Sequence, residues 1–458
     1  MQSLAAKPRA PLKVAANRIV LAGAIGNIIE WYDFGLYALL APVLATLFFP
    51  SHDRIAALLG VYGGFAVGFA MRPIGAIVLG RMGDVRGRQF VLVLSVVLMG
   101  AATVAIGLLP SYGAIGIWAP VLLIVIRLFQ GFSVGGEFVG SVTYLVEAAA
   151  ANRRGIAGSV ANIGATIGML SAAGAATLTQ LRADGSSELW RVPFLFGGIL
   201  AFVGYLLRRH LPAEKAEFEE IPYPPIRPSS LLPHATPGLK NGIFARLSAR
   251  WPLLRAFREE RRTMILALLF TSGYGVSNYV IMVFLPTFGR EFANVREGTA
   301  LAINTAGQAL ALLVVPIAGW ASDSWIRRRT LLVFAFLMQA AISWQLFAYV
   351  TKAGAGGLWT AQMLLAGLLS LVMGAAPAML SEQFARGYRV SGHAFVLNVG
   401  IGIAGGSAPL IAVALVRATQ STMAPAVFLM IACLLSSGAA LLLPDYSRRG
   451  LSEGPTSD

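Results

Sequence analysis

Five ionisable side chains fall within stretches that are otherwise apolar: Glu30, Asp33, Arg72, Arg127 and Glu137. A charge in hydrocarbon is costly. Such groups therefore face a protein interior, where they pair, carry protons or hold a charged solute. Asn27, Glu30, Asp33 and Tyr37 recur at steps of three and four, and Arg127, Gln130, Glu137, Ser141 and Tyr144 also follow helical spacing. On a helix each set makes one polar stripe on an apolar surface, the pattern of a cavity wall. A static core in which the groups satisfy one another is the alternative. At about 1.5 Å per residue, Glu30, Asp33 and Arg127 lie at similar depth near a bilayer midplane. Arg127 is therefore expected to pair with Asp33 or Glu30, and protonation of the carboxylate to break that pair. Burial and a neighbouring guanidinium act in opposite senses on a carboxyl group, which would poise it for titration during a cycle. Glu137 stands roughly 15 Å beyond Arg127, too far to pair with it, and Arg72 is its candidate partner. Arg72 is also the first candidate for holding a substrate carboxylate, with Arg127 the alternative, because guanidinium binds carboxylate bidentately. Anchoring the 80–88 loop is the competing role for Arg72.

The second half of the chain is nearly free of charge in its apolar stretches. It offers Tyr274, Asn278, Tyr279, Asn304, Gln308, Gln362 and Asn398. Tyr274 with Asn278, and Asn304 with Gln308, are four apart and share a helix face. They are candidates for lining a substrate site, where aromatic rings could also hold a quaternary ammonium. Hydrogen bonds between helices are the alternative for each.

The elements that must position these groups are membrane helices. Of 458 residues, 57% are hydrophobic and only 12% charged, with mean hydropathy +0.71. Charge that sparse excludes an ordinary soluble domain, and such hydrophobicity excludes disorder. The sequence divides into spans at roughly 19–48, 55–80, 89–109, 117–148, 155–181, 190–210, 262–289, 298–320, 329–350, 358–384, 390–418 and 424–443. Each exceeds or meets the length that crosses hydrocarbon. The fold class is thus all-α, a membrane protein of twelve transmembrane helices. The expected organisation is an N-tail over 1–18, a six-helix bundle over 19–210, a central loop over 211–261, a second bundle over 262–443 and a C-tail over 444–458.

The net charge of +15 would suggest nucleic acid in a soluble protein. Here it sorts by side instead. With the N-terminus inside, the cytoplasmic segments carry 27 Lys and Arg and the outer segments 7. Both termini are therefore expected in the cytoplasm. The single cysteine, Cys433, excludes an intrachain disulfide and a cysteine-cluster metal site. The stretch 243–258 mixes Phe244, Leu247, Trp251, Leu254 and Phe257 with arginines and reads as either a surface helix on anionic lipid or a linker, with Trp251-Pro252 expected to interrupt a helix.

Two pieces recur in the two halves. Gly80-Arg-Met-Gly-Asp84-Val-Arg-Gly87-Arg88 lies between spans 2 and 3, and Gly319-Trp-Ala-Ser-Asp323-Ser-Trp-Ile326-Arg327-Arg328 lies 239 residues later. Glu147 with Arg154 closes span 4, and Glu382 with Arg389 closes span 10, 235 residues later. Near-equal offsets indicate a duplicated six-helix unit, in which a transport site lies between the halves near the midplane. The repeated charges are candidate cytoplasmic gating clasps: a carboxylate accepts from arginines and from helix N-terminal N–H groups, and such a clasp breaks as the halves rock.

These residues carry a resemblance. The Gly80–Arg88 loop is similar to the signature of the major facilitator superfamily. More narrowly the chain resembles its metabolite:proton symporter family, on Gly26-Asn27-Ile-Ile-Glu30-Trp31-Tyr32-Asp33-Phe34, Met71-Arg72-Pro73-Ile74-Gly75, Ile115-Gly-Ile-Trp-Ala-Pro120, Arg127-Leu-Phe-Gln130-Gly-Phe-Ser-Val-Gly-Gly136-Glu137 and Trp190-Arg191-Val-Pro193-Phe194. That family includes proline/betaine, α-ketoglutarate, shikimate and citrate carriers. The resemblance implies two pseudo-symmetric bundles in a bacterial inner membrane and proton-coupled import of a small carboxylate-bearing metabolite, organic acid or zwitterion. It departs at Ile326, where the repeat expects Gly. The partners it implies are a small-molecule substrate, protons and the lipid bilayer, with no nucleic acid and no obligate protein partner. No cofactor and no metal site is expected. Gly400-Ile-Gly402-Ile-Ala-Gly405 matches a dinucleotide fingerprint but follows no strand. Gly164 and Gly168 read as a helix-packing pair. A proton-driven exporter and a non-transporting receptor are the competing functions; an enzyme is disfavoured because no catalytic constellation appears.

Overall fold

The computed structural model describes residues 12–86, 88–134, 142–143, 145–147, 149–181, 188–209, 252–385 and 389–447. Only helices satisfy the backbone internally in hydrocarbon, and the described residues form helices joined by short turns. Span 1 is Leu12–Leu39 continued by Ala41–Phe48 across a 61° bend. Pro42 supplies the cause, since it lacks the N–H that would continue the ladder. Span 2 is Arg54–Ala70 and Arg72–Arg86 about a turn at Met71, again with a proline, Pro73, just beyond the break. Asp53 caps its start by accepting from Ile55 N (2.9 Å) and Ala56 N (3.2 Å).

Span 3 is Arg88–Leu108, span 4 begins as Trp118–Ser133, span 5 is Arg154–Leu181 and span 6 is Arg191–Arg209. Span 7 runs through Arg261–Tyr279, a π-helical turn Val280–Phe284 and Leu285–Ala293, and span 8 is Glu297–Ser324. The expected loop between spans 9 and 10 is absent. Arg328–Glu382 is helical throughout except at Gly354 (φ 55°, ψ −125°), a left-handed break that glycine tolerates and that divides it into two spans. Span 11 joins Arg389–Leu397, a second π-helical segment Asn398–Gly405 and Ala408–Thr419; span 12 is Ala424–Leu442. The described part of the stretch 243–258 lies in the short helix Pro252–Glu259, whose Phe257 packs edge-on against Phe395 of span 11. Residues 243–251 lie outside the described residues.

Span 5 packs along span 1 on one side and span 8 on the other, and span 2 meets span 11. These contacts join the first six spans to the last six. Close approach is built from glycine. A Cβ at Gly168 would collide with Ile28 O of span 1, as expected of a packing glycine, and a Cβ at Gly131 would collide with Gly68 O, so spans 2 and 4 touch backbone to backbone. That last contact brings Arg127 of span 4 against the aromatic face of span 2. Large apolar side chains such as Ile77, Leu178, Phe202, Leu313 and Leu442 cover the outside, as lipid contact requires.

Candidate functional site

Two ion pairs are buried at the centre of the first bundle. Arg127 Nη1 lies 3.6 Å from Asp33 Oδ2, with both side chains almost wholly enclosed. Of the two partners that the sequence left open for Arg127, this is Asp33. Gln130 bridges the pair: it accepts from Arg127 Nη1 (2.7 Å) and donates from Nε2 to Asp33 Oδ1 (2.6 Å). The Thr103 hydroxyl of span 3 also donates to Asp33 Oδ1 and has Met99 O at 2.9 Å as a second acceptor. Asp33 Oδ2 accepts no hydrogen bond among the described residues, nor do Arg127 Nε and Nη2 donate one. The guanidinium instead lies over rings, 4.2 Å from the Tyr37 centroid, 4.7 Å from Phe34 and 5.5 Å from Phe65. A buried guanidinium short of acceptors gains part of its compensation from such faces.

The second pair is Arg72 Nη2 to Glu30 Oε1 at 2.9 Å. The partner expected for Arg72 from the sequence is Glu137. The turn at Met71 aims Arg72 across to span 1, and Glu137 itself lies outside the described residues. Arg72 and Glu30 form one wall of a central cavity. The cavity draws on both bundles: Trp31, Asn162, Thr166 and Met169 from the first, and Tyr274, Asn278, Gln308, Met373 and Asn398 from the second. A few polar groups in an otherwise apolar lining, drawn from both bundles, suit a small-molecule site.

Of the candidates from sequence, Glu30, Arg72, Tyr274, Asn278 and Gln308 line this cavity. Asp33, Arg127 and Gln130 stand behind it as the buried network. Tyr37 donates to Val61 O (3.1 Å) and Asn304 to Met282 O (2.6 Å), so both hold helices in place. Asn27 is buried, and its amide has no hydrogen-bond partner among the described residues.

At the end expected to face the cytoplasm, the repeated charges pair across the halves. Arg389 donates to Glu147 (2.8 Å) and Arg154 to Glu382 (3.2 Å). Each Glu thus meets the Arg of the other repeat. The reason is that spans 4 and 5 of one bundle face spans 10 and 11 of the other, so the two copies interlock. Asp323 accepts from Gly155 N (2.7 Å) and Ile156 N (3.0 Å) at the start of span 5, the helix-end contact expected of it. Its arginine is Arg328 (2.6 Å) rather than Arg327. Arg327 is the residue before span 9 and is exposed, whereas Arg328, the first helical residue, turns inward to Asp323 and Glu382. Gly87 and the side chains of Asp84 and Arg88 lie outside the described residues, and Gly80 is described only as part of the helix Arg72–Arg86. At the opposite end Arg54 pairs with Glu291, and Arg417 with Asp53 at 3.2 Å, so the halves are bridged there too.

The chain matches the family model described as Major Facilitator Superfamily over residues 23–384. It belongs to that superfamily. It is similar to the shikimate transporter of Escherichia coli K12, 32% identical, with 94% of this chain and 95% of that protein aligned. It is also similar to the proline/betaine transporter of Salmonella typhimurium LT2, 29% identical over 95% of this chain and 85% of that one. Among solved structures it matches a D-xylose-proton symporter with a TM-score of 0.72 at 17% identity, covering 96% and 100% of the two chains. That likeness establishes the fold. The chain is accordingly a multi-pass membrane transporter of twelve helices, and not an enzyme.

Sequence reasoning missed Thr103, Asn162, Thr166 and the outer pairs. Thr103 is a single polar residue in an apolar helix, whereas Ser159, Asn162 and Thr166 follow at steps of three and four, a spacing that could have found the span 5 residues. Trp31 adjoins Glu30, and Asn398 is one of the polar residues of the second half; a π-helical segment carries Asn398 in the cavity wall.

Proposed function

We propose that this transporter imports a small carboxylate-bearing metabolite together with protons by alternating access. The observation that carries the reading is the pairing of two buried ion pairs on one stretch of span 1. Asp33–Arg127 is sealed in a network, and Glu30–Arg72 lies on the cavity wall. Asp33 Oδ2, with no hydrogen bond to give up, is the seat for the proton. When it is protonated, the ionic attraction to Arg127 is lost, and the Thr103 hydroxyl has Met99 O to return to. Arg72 keeps donors beyond its bond to Glu30, and its guanidinium is the group that meets a substrate carboxylate; Glu30 would meet a cationic end if the substrate carries one. Tyr274, Asn278, Gln308 and Asn398 orient the remainder from the second bundle. The cross-half pairs Glu147–Arg389 and Glu382–Arg154, with Asp323 on the start of span 5, act as the cytoplasmic latch. Arg54–Glu291 and Asp53–Arg417 act as the outer one. Both termini lie inside, with six spans in each half flanking the central loop.

The likeness to shikimate and proline/betaine transporters supports a substrate of this class, and leaves anion and zwitterion both compatible with Arg72 and Glu30. The test is uptake into proteoliposomes of labelled proline, betaine, α-ketoglutarate, shikimate and citrate, with and without an inward proton gradient. Gradient-driven accumulation of one compound is expected. Entry that stops at equal concentration would make this a uniporter, and accumulation driven by the reversed gradient would make it an exporter.

A further inference from the structure

Both buried guanidiniums lie over the same ring. Arg72 Cζ is 4.5 Å from the centroid of Phe34 and Arg127 Cζ is 4.7 Å from it. Phe34 is next to Asp33 in span 1 and is buried. Neither guanidinium is held by a full set of hydrogen bonds: Arg72 Nε, Arg127 Nε and Arg127 Nη2 have none among the described residues. Their planes are therefore fixed largely by rings. Arg72 rests on Phe34 and on Phe69 (4.3 Å), and Arg127 on Phe34 and Tyr37. Phe69 packs against Phe34 at 4.7 Å and against Gly406 of span 11, where an added Cβ would stand 2.6 Å from the ring. The aromatic contact thus extends from the Asp33 network to the second bundle.

Two cations held by one ring draw on the same π electrons, and the ring binds more strongly the cation with less other compensation. Loss of charge on Asp33 leaves Arg127 with the Gln130 amide oxygen and the rings. Among the described residues, the charged and titratable groups facing this cluster are Glu30, Asp33 and Tyr37 on span 1, Arg72 on span 2, Arg127 on span 4 and Tyr279 on span 7. We infer that Phe34 is the positioning residue that couples proton binding at Asp33 to substrate binding at Arg72, because the ring is the body that both guanidiniums share. The inference rests on the proton-coupled reading of Asp33 above. It makes the coupling a property of the ring rather than of the two ion pairs taken separately.

The coupling is read as the ratio of substrate Kd at alkaline pH to that at acidic pH, which a uniform loss of affinity or stability leaves unchanged. The purified full-length protein is titrated with proline, betaine and shikimate, as wild type, Phe34→Leu and Phe34→Tyr. Wild type is expected to bind one of them more tightly at acidic pH, by a factor in the usual allosteric range of about 5 to 150. In Phe34→Leu the ratio is expected to fall to within about threefold of unity, and in Phe34→Tyr, which keeps the ring, to stay near the wild-type value. If Phe34→Leu does not yield monodisperse protein, Phe34→Met fills similar space without a π face and is read in the same way. A Phe34→Leu ratio equal to that of a pH-dependent wild type overturns the role of the ring and leaves proton coupling standing. A wild type that binds one of the three with no pH dependence overturns the symport reading and this inference with it.

Discussion

Replacing Asp33 by Asn tests the proposed proton seat most directly. At the 3.6 Å separation from Arg127, two unit charges attract by about 4–5 kcal/mol at an effective dielectric of about 20. Asn keeps acceptor capacity toward Thr103 and Gln130, so the packing survives while the charge is lost. Removing one partner of a buried pair costs about 3–5 kcal/mol, because the other charge is left enclosed. Asp33→Asn should therefore lower the melting temperature in detergent, and Asp33→Asn combined with Arg127→Gln should recover much of the loss. The functional assay is accumulation in proteoliposomes with the membrane potential clamped. One proton crossing a gradient of about one pH unit supplies about 1.4 kcal/mol, a tenfold accumulation. Wild type should approach that ratio for each proton carried, and Asp33→Asn should stay near unity while still exchanging labelled for unlabelled substrate. Accumulation by Asp33→Asn at the wild-type ratio would refute the assignment of Asp33 as the coupling group.

Three further outcomes follow from particular contacts. Glu382 is enclosed and holds both Arg154 and Arg328, whereas the Glu147 side chain is 41% exposed; Glu382→Gln should cost about 3–5 kcal/mol and Glu147→Gln about 1 kcal/mol or less, read as the order of their melting temperatures. Arg72→Lys replaces a planar fork by a point charge, and should raise substrate Kd by about one to two orders of magnitude for a carboxylate held bidentately, measured at fixed pH with thermal stability as control. Gly131→Ala places a methyl group against Gly68 O of span 2, with no side chain able to give way; loss of monodisperse protein on size-exclusion chromatography is expected, whereas Gly63→Ala on span 2, where a Cβ meets nothing within 4 Å, should behave as wild type.

The sequence by itself determined the class and the number of spans. Hydrocarbon imposes helix on any long apolar stretch, so span limits were legible to within a few residues over most of the chain. The stripe spacing on span 1 put Glu30 and Asp33 on one face, and duplication was visible in the offsets of Asp323 and Glu382 from their first-half copies. What spacing along one helix cannot fix is the partner on another helix. Only the tertiary structure decided that Arg127 meets Asp33 and Arg72 meets Glu30, since that depends on the backbone contact at Gly131 and the turn at Met71. It also decided that the repeated Glu–Arg motifs cross between halves, because interlocking is a property of how two bundles face each other. The role of Arg328 over Arg327 was likewise open, for neighbouring residues at a helix start point in directions about 100° apart and only packing selects one. Thr103 and Phe34 carried no sequence signal beyond being a hydroxyl and a ring in apolar helices. They matter because folding places one on a carboxylate and the other under two guanidiniums.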